Sequence, residues 1–342
     1  VTLQYADIDD AVNYTQQNLI KRGAFLDMQT DISDHVAVRE MWKDRRKVFE
    51  GGDDWEFDIQ MDHNHSARFV GMYETDGTAI NDTLTKGKVQ PKHVNAHYIY
   101  DQREKAFQKG GLAIVNYIKS KYVGMHVSLF DLMEAALWSE PADDGKTPFG
   151  IGYWVTRSSS EGFNGGNPTN FASGKGGIDQ GTYSRYANWS GNYVSVTRED
   201  LARKMRTMHR RTQFRSPVSH AQPDLGKTGN GIYMNSDTIG LFEEYAEDRN
   251  MNLGSDVDKY GGRVTFKSTP LTYAPYLDDD SKDPVYLLDW KWIAVGVLSG
   301  WENQLTKPYM VPNKHLVRRV DNDCTMQMIC TNLRRQGCLC KA

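Results

Sequence analysis

The sequence predicts an α+β fold in which helices and antiparallel strands are segregated rather than alternating as βαβ units. Three observations predict it. Asp101 to Ser139 contains no proline, and Leu112, Val115, Ile118, Tyr122, Met125, Leu129, Leu132, Met133 and Ala136 recur within it, mostly at three- and four-residue steps. That is the spacing of a buried helical stripe. Trp55-Glu-Phe57-Asp-Ile59-Gln-Met61 alternates apolar and polar residues as a half-buried strand does. Residues 262–300 then hold four short strand-like runs parted by turn residues.

Residues 1–49 read as an arm. Ala11 to Arg22 suits a short amphipathic helix capped near Asp9 or Asp10, and Val36 to Val48 suits a second, with Trp42 and Phe49 as anchors. Neither can hold a core, so the arm needs another surface, in its own chain or a neighbour's.

Residues 50–100 read as an extended β loop. Trp55 to Met61, Ala67 to Tyr73 and Val89 to Tyr100 are its strand candidates, the last with Val94, Ala96, Tyr98 and Tyr100 on one face. Glu74 to Lys88 is rich in Thr, Asp, Gly and Lys and reads as a tip. So few strands are marginal alone in water. Trp55, Phe57 and Ile59 are therefore expected to bury against other elements. The tip, including Lys86 and Lys88, is expected to reach a neighbouring subunit.

Residues 101–140 form the spine helix, with Asp101 as N-cap and Glu104 as the capping-box acid. Unbroken, it would be roughly 55–60 Å long, although Gly110, Gly111 and Gly124 invite a bend or break. Pro141 and Asp143-Asp144-Gly145 end it.

Residues 141–308 begin glycine-, serine- and asparagine-rich, yet Trp154, Phe163, Phe171, Tyr183, Tyr186, Trp189 and Tyr193 argue for folded loops rather than a linker. Two helices are expected, Thr197 to Thr212 with Thr197 as N-cap, and Ser236 to Asn250 opening on Ser236 or Asp237. The strands are Arg263 to Lys267, Leu271 to Tyr273, Val285 to Leu288 and Trp292 to Val295. Residues 309–342 supply one or two closing strands.

Composition narrows the function. The chain has 342 residues, a net charge of -3 and 25% charged residues, without the basic excess of a dedicated nucleic-acid reader. Its most apolar runs fall far short of the about 18 residues of a membrane span. No secretory leader opens it, and Val1 fits either removal of an initiator Met or proteolytic maturation. Cys324, Cys330, Cys338 and Cys340 match no common zinc spacing and read as buried free thiols.

Catalytic motifs fail. Ala221 stands where a P-loop ending in Gly226-Lys227-Thr228 needs its first glycine. Ser299 has Val297 and Trp301 where a nucleophile elbow needs glycines. His63 and His65, with His93 and His97, could hold a metal but read as surface histidines; no cofactor is expected. Arg203, Lys204, Arg206, Arg210, Arg211 and Arg215 form a basic cluster that reads as a solvated or intersubunit face, with phosphate contact as the alternative. Trp154, Trp189, Trp290, Trp292 and Trp301 raise a carbohydrate-binding or glycoside-acting protein, against which core and interface anchoring is the simpler account.

The order of arm, extended loop, spine helix and following domain resembles the tailed-bacteriophage major capsid proteins, the Hong Kong ninety-seven-type coat fold. The local likeness is strongest in LMEAALWSEP, TPFGIGYWV, EGFNGGNP, GGID, TYSRYANWS and VTREDL, between Glu134 and Leu201, and continues in GIYMNSDTIGLFEEYAEDRNMNLG and MQMICTNLRRQ. These are habits of a coat family and carry no active site. The resemblance implies a non-enzymatic virion shell of pentamers and hexamers enclosing double-stranded DNA. Residues 141–308 would be an axial domain with peripheral-sheet strands. It also implies a separate scaffolding protein or a removed propeptide, a portal partner, room for a decoration protein, and synthesis in the host cytoplasm. An encapsulin-like compartment is the related alternative. DNA contact is expected to be sequence-independent, through Lys21, Arg22, Lys105 and Lys109.

Overall fold

A computed structural model of the chain describes residues 35–44, 46–62, 65, 67–73, 84–103, 111–141, 145–213, 229–247, 265–267 and 269–342. Its longest helix, α2 (Gly111–Trp138), lies on a six-stranded sheet. At about 1.5 Å per residue it is about 42 Å long. Helix α1 (Val36–Asp44) and strand β1 (Arg46–Phe49) precede it, followed by β2 (Trp55–Gln60), β3 (Leu84–Val89) and β4 (Lys92–Asp101).

Strand β14 (Val317–Cys330) organises the six-stranded sheet. Along one edge it pairs antiparallel with β4, from Val317↔Asp101 to Met326↔Lys92. Along the other it meets β11 (Ile293–Leu298), β12 (Gln304–Leu305) and β13 (Tyr309–Met310) in turn. β1 adds to β11 in parallel. Alternation along β4 brings Tyr98 and Tyr100 into one cluster with Ile118, Tyr122 and Met125 of α2 and with Val320, the cross-strand partner of Tyr98.

The second sheet has seven strands, ordered β5 (Gly162–Gly165), β6 (Asn188–Tyr193), β15 (Gly337–Lys341), β10 (Val285–Asp289), β7 (Asn230–Met234), β9 (Thr269–Tyr273) and β8 (Thr265–Phe266). Helix α4 (Leu201–Thr212) packs on it through Leu201, Ala202, Met205 and Met208. α5 (Ser236–Glu247) follows β7. The two sheets share one core at the end of α2, where Trp138 meets the rings of Tyr233 and Tyr286. Short helix α3 (Ile151–Trp154) sits against the end of α2. There a Cβ on Gly150 would lie 2.3 Å from the Ala136 carbonyl oxygen, so only glycine fits.

Several expectations are corrected. Asp101 is not a helix cap: it ends β4, and its carboxylate binds Arg103 N at 2.8 Å and Nη2 at 2.7 Å. The ten-residue pairing with β14 claims it. Glu104 lies outside the described residues. Gly124 does not break α2, which runs continuously through it from Gly111 to Trp138. Leu132 of the expected stripe is exposed, whereas Phe130, Leu137 and Trp138 are buried, because α2 is covered by different partners along its length.

The helix expected over Val36 to Val48 stops at Asp44, and Val48 joins β1 because β11 offers a parallel edge. Ala67 to Tyr73 is not a strand; the partner of β2 is β3, drawn from the expected tip. α4 begins at Leu201 rather than after Thr197, and the carboxylate of Asp200 turns back to Val194 N and Ser195 N. α5 is capped by Asn235, whose Oδ1 accepts from Thr238 N at 3.0 Å. Pro270 lies inside β9 rather than in a turn. Trp292 belongs to a 3₁₀ turn before β11. The helix expected over Ala11 to Arg22 lies outside the described residues.

Candidate assembly surface

β2 and β3 pair antiparallel as a two-stranded stem, and the sequence alternation of β2 pins it to the body. Trp55 is 1% exposed. Its ring stacks on Phe49 at 4.4 Å and covers Gly296, where a Cβ would lie 2.6 Å from the indole. Phe57 meets Trp154 edge-on at 6.3 Å and covers its cross-strand partner Gly87, where a Cβ would lie 2.5 Å from the ring. Ile59, farther out, is half-buried. Lys88 N donates to Gly176 O at 2.8 Å, tying the stem to the Gly174–Gly177 loop. In that loop Gly174, Gly176 and Gly177 all have positive φ.

The polar face of the stem turns outward. Glu56 accepts from Lys86 Nζ at 2.9 Å and Lys88 Nζ at 2.8 Å. The bonds from Lys88 and Lys86 hold its carboxyl at about 2. Beyond the stem the chain exposes a run of large apolar side chains. Phe69, Met72 and Tyr73 are 105%, 93% and 104% exposed, and Val70 and Leu84 join them. Sequence reasoning took Ala67 to Tyr73 for a strand and missed this surface. The signal was present, because Phe69 and Val70 are adjacent apolar residues that no two-residue alternation buries together.

Helix α1 is seated by a buried carboxylate. Glu134, 5% exposed on α2, accepts from Ala37 N and Val38 N at 2.9 Å each and from Trp138 Nε1 at 2.7 Å. It thus caps α1 from another helix. Burial pushes its carboxyl above the usual range against those three bonds. Val36, Val38 and Met41 bury beside it, Trp42 is half-buried against the same core, and His35 pairs with Asp131.

No family model matches the sequence, and no curated protein matches it. Solved structures do. The chain is similar to the capsid of a native GTA particle (TM-score 0.56, 11% identity, 90% of each chain covered). It is similar to a chain of the cyanophage A-1(L) capsid asymmetric unit (TM-score 0.53, 12% identity, 86% of this chain and 88% of that one). It is also similar to a chain of the bacteriophage PhiM1 mature capsid (TM-score 0.50, 11% identity, 88% and 86%). The chain has the α+β phage coat fold.

Within the coat fold, the remaining candidates serve the structure. Of the five candidate tryptophans, Trp154, Trp189 and Trp290 are buried core residues, Trp292 is half-buried and Trp301 is exposed. All four cysteines are buried free thiols, and burial pushes Cys324 and Cys330 to about 12. Cys324 and Cys330 are therefore poor nucleophiles. His65 does not share a strand face: it follows the end of β2, has positive φ and bonds Asp62 at 2.8 Å. His93 bonds Thr325 at 2.7 Å, and His63 lies outside the described residues. Among the described residues no three His, Cys, Asp or Glu side chains converge as metal ligands.

An open polar cleft of about 570 Å³ lies between the end of α2 and the 3₁₀ turn Pro275–Asp279, but Arg157 within it is already paired to Asp280 at 2.5 Å. No helix among the described residues is long and apolar enough to cross a membrane. Lys21, Arg22, Lys105 and Lys109 lie outside the described residues.

Proposed function

We propose that this chain is a major capsid protein that self-assembles as pentamers and hexamers into an icosahedral shell enclosing double-stranded DNA, without enzymatic activity. The observation that carries the reading is the coat fold over about nine-tenths of the chain, joined to an extended hairpin anchored at its stem and bare beyond it. A body that buries Trp55 and Phe57 yet presents Phe69, Met72 and Tyr73 to water is built to complete itself on a neighbour.

In this reading residues 1–49 are the arm, 50–100 the extended loop and 101–140 the spine of the peripheral domain. Residues 141–308 are the axial domain with peripheral-sheet strands, and 309–342 the closing strands. Trp42, Trp55, Phe57 and Ile59 hold arm and stem in the assembling geometry, and Lys86 and Lys88 face a neighbour. Scaffolding, portal and decoration proteins are the partners such a shell takes. The protein is made in the host cytoplasm and resides in the virion shell.

Size-exclusion chromatography with negative-stain microscopy of the purified chain tests this. Capsomers or megadalton icosahedral shells are expected; a compact monomer that never assembles would overturn the reading. Nuclease-protected DNA in particles from infected cells is expected, whereas packaged enzyme would favour the compartment alternative.

A further inference from the structure

Helix α4 carries a charge pattern that folding does not explain. Arg203, Arg206, Arg210 and Arg211 are exposed. At about 100° per residue they span an arc of about 140° opposite the face that buries Leu201, Ala202, Met205, Met208 and Thr212. Among the described residues none of the four makes an ion pair with a carboxylate; of the two acids that precede the helix, Asp200 is taken by Lys204 at 2.7 Å and by Val194 N and Ser195 N, and the exposed Glu199 forms no ion pair with Arg203.

The arrangement opposes the helix's own stability in its first half. Arg203 lies in the first turn, where the helix dipole favours acids. Arg203 and Arg206, and Arg206 and Arg210, are like charges at three- and four-residue steps, which repel. Only Arg210 and Arg211 suit their place in the last turn, where Arg210 Nε donates to Arg206 O at 3.2 Å. The helix is held instead by its apolar face, seated closely enough that a Cβ on Gly337 would lie 2.6 Å from Met208 Sδ.

We infer that this face of α4 is a phosphate-binding surface that meets the backbone of the enclosed double-stranded DNA, an assignment that rests on the coat reading above. Guanidinium groups fork onto phosphate oxygens and keep their charge at any physiological pH. Arg203 to Arg211 covers about 12 Å along the helix. Duplex DNA carries about one phosphate per 1.7 Å of its axis, so each arginine can reach one. Arginines laid along the phosphates fix register on the backbone and carry no base information, so the contact is expected to be independent of sequence. An acidic face of a second copy is the competing occupant. The exposed acidic turn Asp278–Asp280 suits it poorly. Asp278 already accepts from Ser236 N and Tyr273 Oη, and Asp280 from Arg157.

The test uses the purified full chain as unassembled subunits, a random-sequence DNA duplex, and fluorescence anisotropy across a salt series. Four contacts predict a slope of log K against log salt near about -3.6, or about a hundredfold loss of affinity between about 50 and 200 mM salt. The variant R203Q/R206Q/R210Q/R211Q should lose the slope and bind weakly at every salt. The four corresponding Arg→Lys changes should keep the slope, and K307Q/K314Q, which removes two exposed lysines elsewhere, should change neither. Wild-type binding without salt dependence, or a Gln variant that binds as wild type, would overturn the proposal. So would a Gln variant with intact DNA binding and lost shell yield, which would make α4 a contact between copies. Circular dichroism confirms that the variant is folded. Failure of every variant and the wild type to form particles would overturn the coat reading instead, whatever the DNA result.

Discussion

The stem of the extended loop and the segment beyond it belong to one excursion of the chain, yet obey different physics. In the stem, Trp55 and Phe57 lie two residues apart on one strand face and both close on glycines, Gly296 and Gly87. Beyond it, Phe69, Val70, Met72 and Tyr73 are as apolar and have no such floor. The difference teaches that burial here is decided by what stands opposite a side chain, not by the side chain. The stem contributes to the stability of one subunit; the outer segment, uncovered in the single chain, adds nothing to it.

The largest blow to a single subunit should be Trp55→Ala, which empties a packed site and is expected to cost about 3–5 kcal/mol. Chemical denaturation of the unassembled chain measures it, and a loss near zero would mean that the stem is not anchored as described.

A smaller effect on the same anchor should come through pH. Lys175, in the glycine loop that holds Lys88, is 1% exposed and bonds Thr156 Oγ1, Asn188 Oδ1 and Gly165 O. Burial lowers its amine from 10.5 to about 7. In the window between those values the unfolded chain binds a proton that the folded chain sheds, so stability rises with pH there. Melting from pH 7 to 9 should show an upward trend that Lys175→Met flattens. An equally steep trend in the variant would assign it elsewhere.

Replacing Phe69, Val70, Met72 and Tyr73 by serine should move subunit stability by less than about 0.5 kcal/mol, since exposed side chains are involved. Particle yield should nonetheless collapse, because a contact repeated around a closed shell gains from multivalency. Normal particles would show that this segment is not an assembly element. Smallest of all is Lys86→Gln. Its ion pair with Glu56 is solvent-exposed, so no measurable shift in melting is expected. If particle yield falls alone, Lys86 acts between subunits.

The spine, the stem strand, most strands after Arg263 and the lack of a catalytic motif were legible in the sequence. Three- and four-residue or two-residue periodicity is a local property that survives any packing consistent with it. The coat likeness was legible too, as motifs such as TPFGIGYWV whose glycines now have a physical reason: Gly150 and Gly152 lie against the backbone at the end of α2. Tertiary structure alone decided the rest. Asp101 offers a good capping side chain, but ten residues of pairing with β14 outweigh one cap. Val48 continues a helical pattern, but β11 supplies an edge. Glu134 reads as an ordinary helix acid until α1 lays two unpaired N–H groups against it. In each case the deciding partner lies far away in sequence, so no local pattern could announce it.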